Sequence, residues 1–385
     1  MKKRIGILTY HRATNYGAVL QSYSLVTFIR KKMPNTSIEI IDYSTRSAKI
    51  SHIKSVLSYL KKIDIQSAYG EIIKNYMFRK YSGTLPLSSK KIVSDNINAV
   101  NDYISNNYDI VITGSDAIFS WSGKKFPTAY FLHDIKCDTL SYAASAHRLF
   151  YKEEDPSKLE WAREAFYGLT YVGVRDMETE NFLRYCGYDG SCFHNCDPTF
   201  LLDIEDLKQK SDFNIIKKKC GIKDDKPICV IMTPDEGIGS LVRQLFGNTH
   251  QIVSVFISNK SFKTTYSLTP FEWASLFSLA DFTVTEYFHA TILSLLNFTP
   301  VLSIDKLDNC LGYEGKIYDL LIRRLNLPEM YLNISALKRE GSGIIIPQIE
   351  RIKKSFSKNI LQQKIDKERQ NVESFMDELN RLVCN

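Results

Sequence analysis

His289 lies between two segments whose patterns place it at a point suited to chemistry. Phe282 to Thr285 is short, apolar and β-branched and reads as a strand, while Ala290 to Asn297 reads as a helix. A histidine there stands at a strand's C-terminal end and in the first turn of a helix. Free N–H groups and the helix dipole favour an anion at that position. The imidazole can donate a hydrogen bond and, beside a phosphate or carboxylate, carry positive charge. The plainer alternative is a histidine that caps or packs. Arg175, in Val172-Gly-Val-Arg-Asp176, and Lys306, after Ser303-Ile-Asp305, emerge at two further strand ends. A guanidinium fork matches a carboxylate or phosphate, and an ammonium is a mobile point charge. For Arg175 the plainer alternative is a surface salt bridge. Arg, His and Lys at strand ends are what a multiply charged anion requires.

Two more loops carry polar chemistry. In Thr113-Gly-Ser-Asp-Ala117, Gly114 and Ser115 can offer backbone N–H groups, and Asp116 can act as a base or orient a hydroxyl. Asp116 could equally serve only as a helix cap. In Tyr10 to Ala18, Asn15 and Gly17 suit a tight turn that brings a ligand to a helix N-terminus. That loop holds one glycine, which disfavours a dinucleotide site. Cys192, His194 and Cys196 fall on one face of a strand, but no second ligand pair accompanies them, and no metal is expected.

The elements that must position these groups alternate. Ile5–Thr9 reads as a strand, Ala18–Lys31 as a helix, Ser37–Asp42 as a strand, and residues 50–107 as mostly helical. Strands follow at Tyr108–Thr113, Thr139–Ala143, Tyr171–Val174 and Cys192–Cys196, with helices over Ser157–Tyr167 and Glu178–Cys186. A charged stretch, Asp203–Lys226, reads as the crossing into a second domain. Alternation then resumes with strands at Pro227–Met232 and Gln251–Ile257 and helices at Ile238–Phe246 and Phe271–Leu279. The pattern predicts parallel, helix-covered sheets in two tandem α/β domains, residues 1–203 and 204–347. The tail 348–385 is amphipathic, with Ile349, Ile352, Phe356 and Ile360 and then Val372, Phe375, Leu379 and Leu382 at helical spacing. It is expected to pack back on the domains.

Composition limits the function classes. The 385 residues hold ample core, and 44% hydrophobic with 24% charged residues suits a globular chain. The net charge of +7 is scattered, which fits small anionic substrates or an anionic membrane surface and excludes a nucleic-acid signature. The apolar run after Met1-Lys-Lys-Arg4 is too short for a signal peptide, and no stretch has the length of a transmembrane helix. A cytoplasmic protein is expected, with peripheral contact at the inner face of a membrane left open. The eight cysteines read as free thiols.

Taken in order, Asn15-Tyr-Gly-Ala-Val-Leu-Gln-Ser-Tyr-Ser-Leu25, Val111-Ile-Thr-Gly-Ser-Asp116, Ser141-Tyr-Ala-Ala-Ser145, Val172-Gly-Val-Arg-Asp176, Cys196-Asp-Pro-Thr-Phe-Leu-Leu202 and Thr285–Ser294 with Pro300 and Lys306 resemble the polysaccharide pyruvyl transferase family. The resemblance implies two Rossmann-like domains facing a cleft, as in GT-B glycosyltransferases, with C-terminal helices crossing back. The N-terminal domain would be the acceptor side and the C-terminal domain the donor side. It implies phosphoenolpyruvate as donor, no cofactor, and a sugar diol as acceptor, often carried on undecaprenyl diphosphate. The product would be a cyclic pyruvate ketal, with phosphate released. By the same resemblance Arg175 and His289 hold the donor; the chemistry of the residues adds Lys306 to the donor-binding set, His289 as acid, Asp116 as base or acceptor orienter, and Asn15, Gly17, Gly114 and Ser115 as acceptor-side loop residues. The segments Gly114-Ser-Asp-Ala-Ile-Phe119 and Thr285-Glu-Tyr-Phe-His-Ala-Thr291 depart from the family's common patterns around the aspartate and the histidine. A glycosyltransferase using a nucleotide sugar and a non-catalytic scaffold of polysaccharide assembly are the competing readings.

Overall fold

A computed structural model describes residues 2–46, 65–122, 125–223, 226–306 and 313–384. The chain divides into two compact units. One comprises Met1–Ser51, Ser82–Leu202 and Arg369–Asn385, and the other His52–Tyr81 and Asp203–Glu368.

The first unit is built on a parallel sheet of strands β1 (Arg4–Leu8), β2 (Ser37–Ile40), β5 (Ile110–Thr113), β6 (Asp138–Ala144), β7 (Tyr171–Val174) and β8 (Phe193–His194). Their spatial order is β2-β1-β5-β6-β7-β8, and every neighbouring pair is parallel. The short strands β3 (Tyr43–Ser44) and β4 (Ile92–Val93) pair separately. Order reverses between β1 and β5, which makes the C-terminal ends of those strands the place where such a sheet opens to ligands. Strand β5 reads as an unbroken buried run, Ile110-Val-Ile-Thr113, because helices cover both faces of a parallel sheet.

The second unit carries β9 (Ile228–Met232), β10 (Gln251–Val255), β11 (Thr264–Thr265), β12 (Phe282–Thr285), β13 (Val301–Asp305) and β14 (Tyr331–Asn333). They are ordered β11-β10-β9-β12-β13-β14 and again all parallel. This is the strand order of a dinucleotide-binding fold, with its reversal between β9 and β12. Here β12 is followed by the helix Phe288–Leu296, in which every residue is buried. A helix buried all round has no solvent face and is held on every side by the core.

The termini of elements shift by a residue or two from the sequence pattern, as helix ends do. The first helix begins at Tyr16 rather than Ala18, because Asn15 takes the cap. The Asp203–Lys226 stretch, read as an irregular crossing, contains the helices Ile204–Lys210 and Phe213–Cys220, started by the caps Asp203 and Asp212. The expected helical stretch 50–107 lies partly outside the described residues. Within them it comprises the helices Ile65–Ser82 and Ile97–Asn107, with β4 between.

The C-terminal tail does not act as one block. Helices Ile345–Ser355 and most of Lys358–Gln370 belong to the second unit, and Glu373–Cys384 returns to the first. Phe356 ends the first of these helices and Ile360 is half exposed, so the first apolar series breaks after Ile352. The second series is buried throughout. Phe375 lies 4.6 Å from Tyr142 and 5.7 Å from Tyr171, ring to ring, and Arg369 donates to the Phe200 carbonyl at 2.7 Å. Burying Phe375 contributes about 2 kcal/mol.

Candidate active site

In the first unit the polar groups gather at the C-terminal ends of β1, β5, β6 and β7. Asn15 caps the helix Tyr16–Lys32, its side-chain oxygen accepting from the Gly17 N–H at 3.0 Å. That bond gives both residues a role in starting the helix. After β5 the backbone turns sharply. Gly114 has φ +145°, and a Cβ there would collide with the Tyr142 carbonyl, so only glycine fits. Asp116 follows with φ +76°, a left-handed conformation in a non-glycine residue. Its carbonyl accepts from Ile118 N–H at 2.7 Å and Ser145 N–H at 3.0 Å, which holds the half-buried carboxylate at the end of β5. Such an over-determined outlier is the kind of feature that collects at functional sites. The Ser115 hydroxyl beside it is buried and has no hydrogen-bond partner among the described residues.

Arg175 sits at the end of β7 and is only 3% exposed. Its Nη1 donates to Asp197 Oδ2 at 3.2 Å, and Nε faces Asp176 Oδ2 at 3.5 Å. Burial opposes its charge, but the carboxylates of Asp197, Asp176 and Asp116 outweigh burial and raise its pKa. Asp197 also accepts from Gln21 at 2.5 Å. Asp176 caps the helix Met177–Tyr185 through Thr179 and accepts from Ser145 at 2.7 Å. One guanidinium thus stands among three carboxylates. It organises the carboxylates around it.

A second cluster flanks this one after β1. His11 is fully buried, with Nε2 3.2 Å from Asp42 Oδ1 and Nδ1 3.1 Å from the Thr9 carbonyl. Arg12 grips the same carboxylate with two bonds, at 2.7 and 2.5 Å. Burial works against ionising Asp42, yet the bonds from His11 and Arg12 prevail and hold it well below the usual carboxylate range. Tyr10 and Tyr130 stack edge to face at 4.4 Å, with Tyr43 5.5 Å from Tyr130. Burial first, then Tyr130 and Asp116, push the Tyr10 hydroxyl well up, so it stays a protonated donor.

In the second unit the ends of β9, β12 and β13 carry the other groups. His289 is the second residue of the helix Phe288–Leu296 and is 6% exposed. No side chain caps that helix, so its first N–H groups and the positive end of its dipole are the local electrostatic feature. Tyr287 N–H turns back to Thr285 Oγ1 at 3.0 Å, and Thr291 meets Ser303 at 2.7 Å, which ties the helix start to both strands. Glu286, its side chain 1% exposed, accepts from the Thr233 hydroxyl across the reversal between β9 and β12. It also pairs with Lys306, which is 46% exposed. Lys306 is thus a cation already neutralised by Glu286, and its half-exposed stem leaves it able to exchange partners.

A family model for polysaccharide pyruvyl transferases matches residues 15–306. The chain belongs to the polysaccharide pyruvyl transferase family. It is a transferase, and its activity is directed at a sugar or polysaccharide acceptor. No curated protein sequence matches the chain. Among solved structures, the transferase is similar to the UDP-GlcNAc 2-epimerase from Neisseria meningitidis bound to UDP-GlcNAc, with TM-score 0.54, 10% identity, and coverage of 99% of this chain and 100% of that one. It is also similar to the S. aureus MnaA–UDP co-structure, with TM-score 0.52, 12% identity and coverage of 98% and 96%. A third is the UDP-GlcNAc 2-epimerase from Methanocaldococcus jannaschii, with TM-score 0.51, 12% identity and coverage of 95% and 92%. At these identities the likeness establishes a GT-B-like fold and no more.

The structure thus gathers Gly114, Ser115, Asp116 and Arg175 at adjoining strand ends of the first unit, and His289 and Lys306 at those of the second. Sequence reasoning missed Asp197, Gln21, Asp42, His11, Arg12, Tyr10, Glu286 and Thr233 as site residues. Polar residues directly after β1 were a visible signal for His11 and Arg12. Glu286 stands three residues before His289, directly after β12. Nothing local marked Asp42 or Gln21, whose partners lie 30 and 176 residues away. The Cys192–Cys196 segment holds no metal-type cluster. His194 pairs with Glu180 at 2.7 Å, and burial pushes the Cys192 thiol up to about 12, so it stays protonated. No group of three metal-ligating side chains occurs among the described residues. No described helix is long and apolar enough to cross a membrane.

Proposed function

We propose that this transferase moves the enolpyruvyl group of phosphoenolpyruvate onto two hydroxyls of a sugar, forming a cyclic ketal and releasing phosphate. The observation that carries the reading is the family match across residues 15–306, which spans the strand ends of both sheets that bear the candidate groups. The charges of the two units support separate roles. In the second unit a helix N-terminus that no side chain caps, His289 and the half-exposed Lys306 suit an anion carrying a phosphate and a carboxylate. In the first unit the carboxylates around Arg175 suit neutral hydroxyls, and Asp116 is assigned to accept a proton.

The chemistry balances with these groups. One sugar hydroxyl bonds to C2 of the donor while a proton is delivered to C3, which becomes the methyl group. His289 is assigned as the acid and Asp116 as the base that takes the hydroxyl proton. The C2–O bond to phosphate then breaks, the second hydroxyl takes its place, and the second hydroxyl's proton leaves on the phosphate. No redox step occurs. The acceptor is assigned as a lipid-linked oligosaccharide precursor handled in the cytoplasm at the membrane's inner face. Phosphate release from phosphoenolpyruvate in the presence of galactose- or mannosamine-type lipid-linked acceptors tests the reading. His289→Ala should lower the rate by roughly 10²–10⁴-fold, the usual worth of a general acid. An unchanged rate would remove His289 from the chemistry.

A further inference from the structure

The helix Ile65–Ser82 turns an unusual face outward. Ile65, Tyr69, Ile72 and Tyr76 are 69%, 61%, 51% and 63% exposed. Arg79 and Lys80 are the other exposed residues described on this helix. At 3.6 residues per turn, all six fall within an arc of about 100°. The four apolar and aromatic side chains cover about 16 Å of the axis and lead directly into the two basic ones. The opposite side is anchored in the second unit. Phe78 is buried, a side chain on Gly70 would run into the Tyr266 ring, and Tyr81 packs on Phe271 at 6.4 Å. The acid of this helix, Glu71, is turned away from the exposed stripe and is neutralised by Lys74. An ordinary solvent-facing helix shows charges of both signs here, and this one shows none that is negative.

We propose that this face docks on an anionic lipid surface. Isoleucines enter the acyl boundary, tyrosines sit at the level of the headgroups with their hydroxyls in water, and Arg79 and Lys80 meet the phosphates. The chain's net charge of +7 acts in the same direction. Charge complementarity selects lipid over a second copy of the chain, because a copy would bring the same basic residues to the contact. The proposal does not depend on the donor or on the reaction, although a lipid-linked acceptor would give the contact an evident use.

The test is flotation of the purified full chain with vesicles of phosphatidylglycerol and phosphatidylcholine against phosphatidylcholine alone. The wild type should float with the anionic vesicles and be released by high salt. The double variant Arg79→Ser/Lys80→Ser should bind about thirtyfold more weakly, from the worth of two basic side chains near an anionic surface. Ile72→Ser/Tyr76→Ser should weaken binding tenfold or more while leaving the melting curve and turnover of a water-soluble acceptor unchanged. Failure of the wild type to float, or binding by both variants as tight as that of the wild type, would overturn the proposal. A dimer in light scattering that Ile72→Ser/Tyr76→Ser dissolves would also overturn it, by giving the face to a second copy. Since flotation does not read activity, its failure is distinct from failure of the pyruvyl-transfer reading.

Discussion

Replacing Arg175 with methionine separates two accounts of that residue. As an anion clamp it would be dispensable for folding and essential for the donor. As the centre of a buried network it would be the reverse. Arg175 is 3% exposed, donates to Asp197 at 3.2 Å and faces Asp176 at 3.5 Å. Methionine keeps much of the volume but leaves those carboxylates buried without their cation. Removing one partner of a buried pair costs about 3–5 kcal/mol. For a domain of this size each kcal/mol lowers the melting temperature by roughly 2–4 °C, so a fall of roughly 6–20 °C is expected. Arg175→Lys should recover only part of it, because a point charge cannot replace a planar fork set between two carboxylates. Calorimetric melting measures the loss. Titration of phosphoenolpyruvate at a temperature where the variant is folded should give an affinity within about twofold of wild type. A variant as stable as wild type that has lost donor binding would refute the network account and restore the clamp.

Two other perturbations follow from the same geometry. Asp42 has a folded pKa depressed by His11 and Arg12, so its stabilising contribution is present above the ordinary value of 3.8 and is lost as pH falls through the lower folded value. Asp42→Asn should therefore be less stable than wild type near neutral pH, with the gap closing in strong acid; a gap that widens in acid would contradict this sign. Glu286→Gln keeps an acceptor for Thr233 while releasing Lys306, so stability should change by under about 1 kcal/mol and phosphoenolpyruvate should bind more tightly. Weaker binding in a calorimetric titration would show that Glu286 orients the cation rather than masking it.

What the sequence made legible was local. The alternation of strands and helices marked β7 and β12 at their observed bounds, because each is a short β-branched run buried on both faces. His289 at the start of a helix was readable for the same reason. The two-residue strands β3, β4 and β11 carry no period to detect, and their pairing is set by tertiary context. The membership of residues 65–81 in the second unit depends on contacts such as Gly70 with Tyr266, far apart in the chain. The same limit applies to Arg175. A guanidinium at a strand end looks identical whether it awaits a ligand or is closed in by Asp197, 22 residues on. Charge partners at such separations leave no trace in spacing.

The central claim is ketal formation from phosphoenolpyruvate, and NMR of the product made in D₂O reads it directly. With a matched acceptor, the account predicts a new ketal methyl group bearing one solvent-derived deuterium for each phosphate released. A product with an intact enolpyruvyl vinyl group, or phosphate released with the acceptor unmodified, would contradict it.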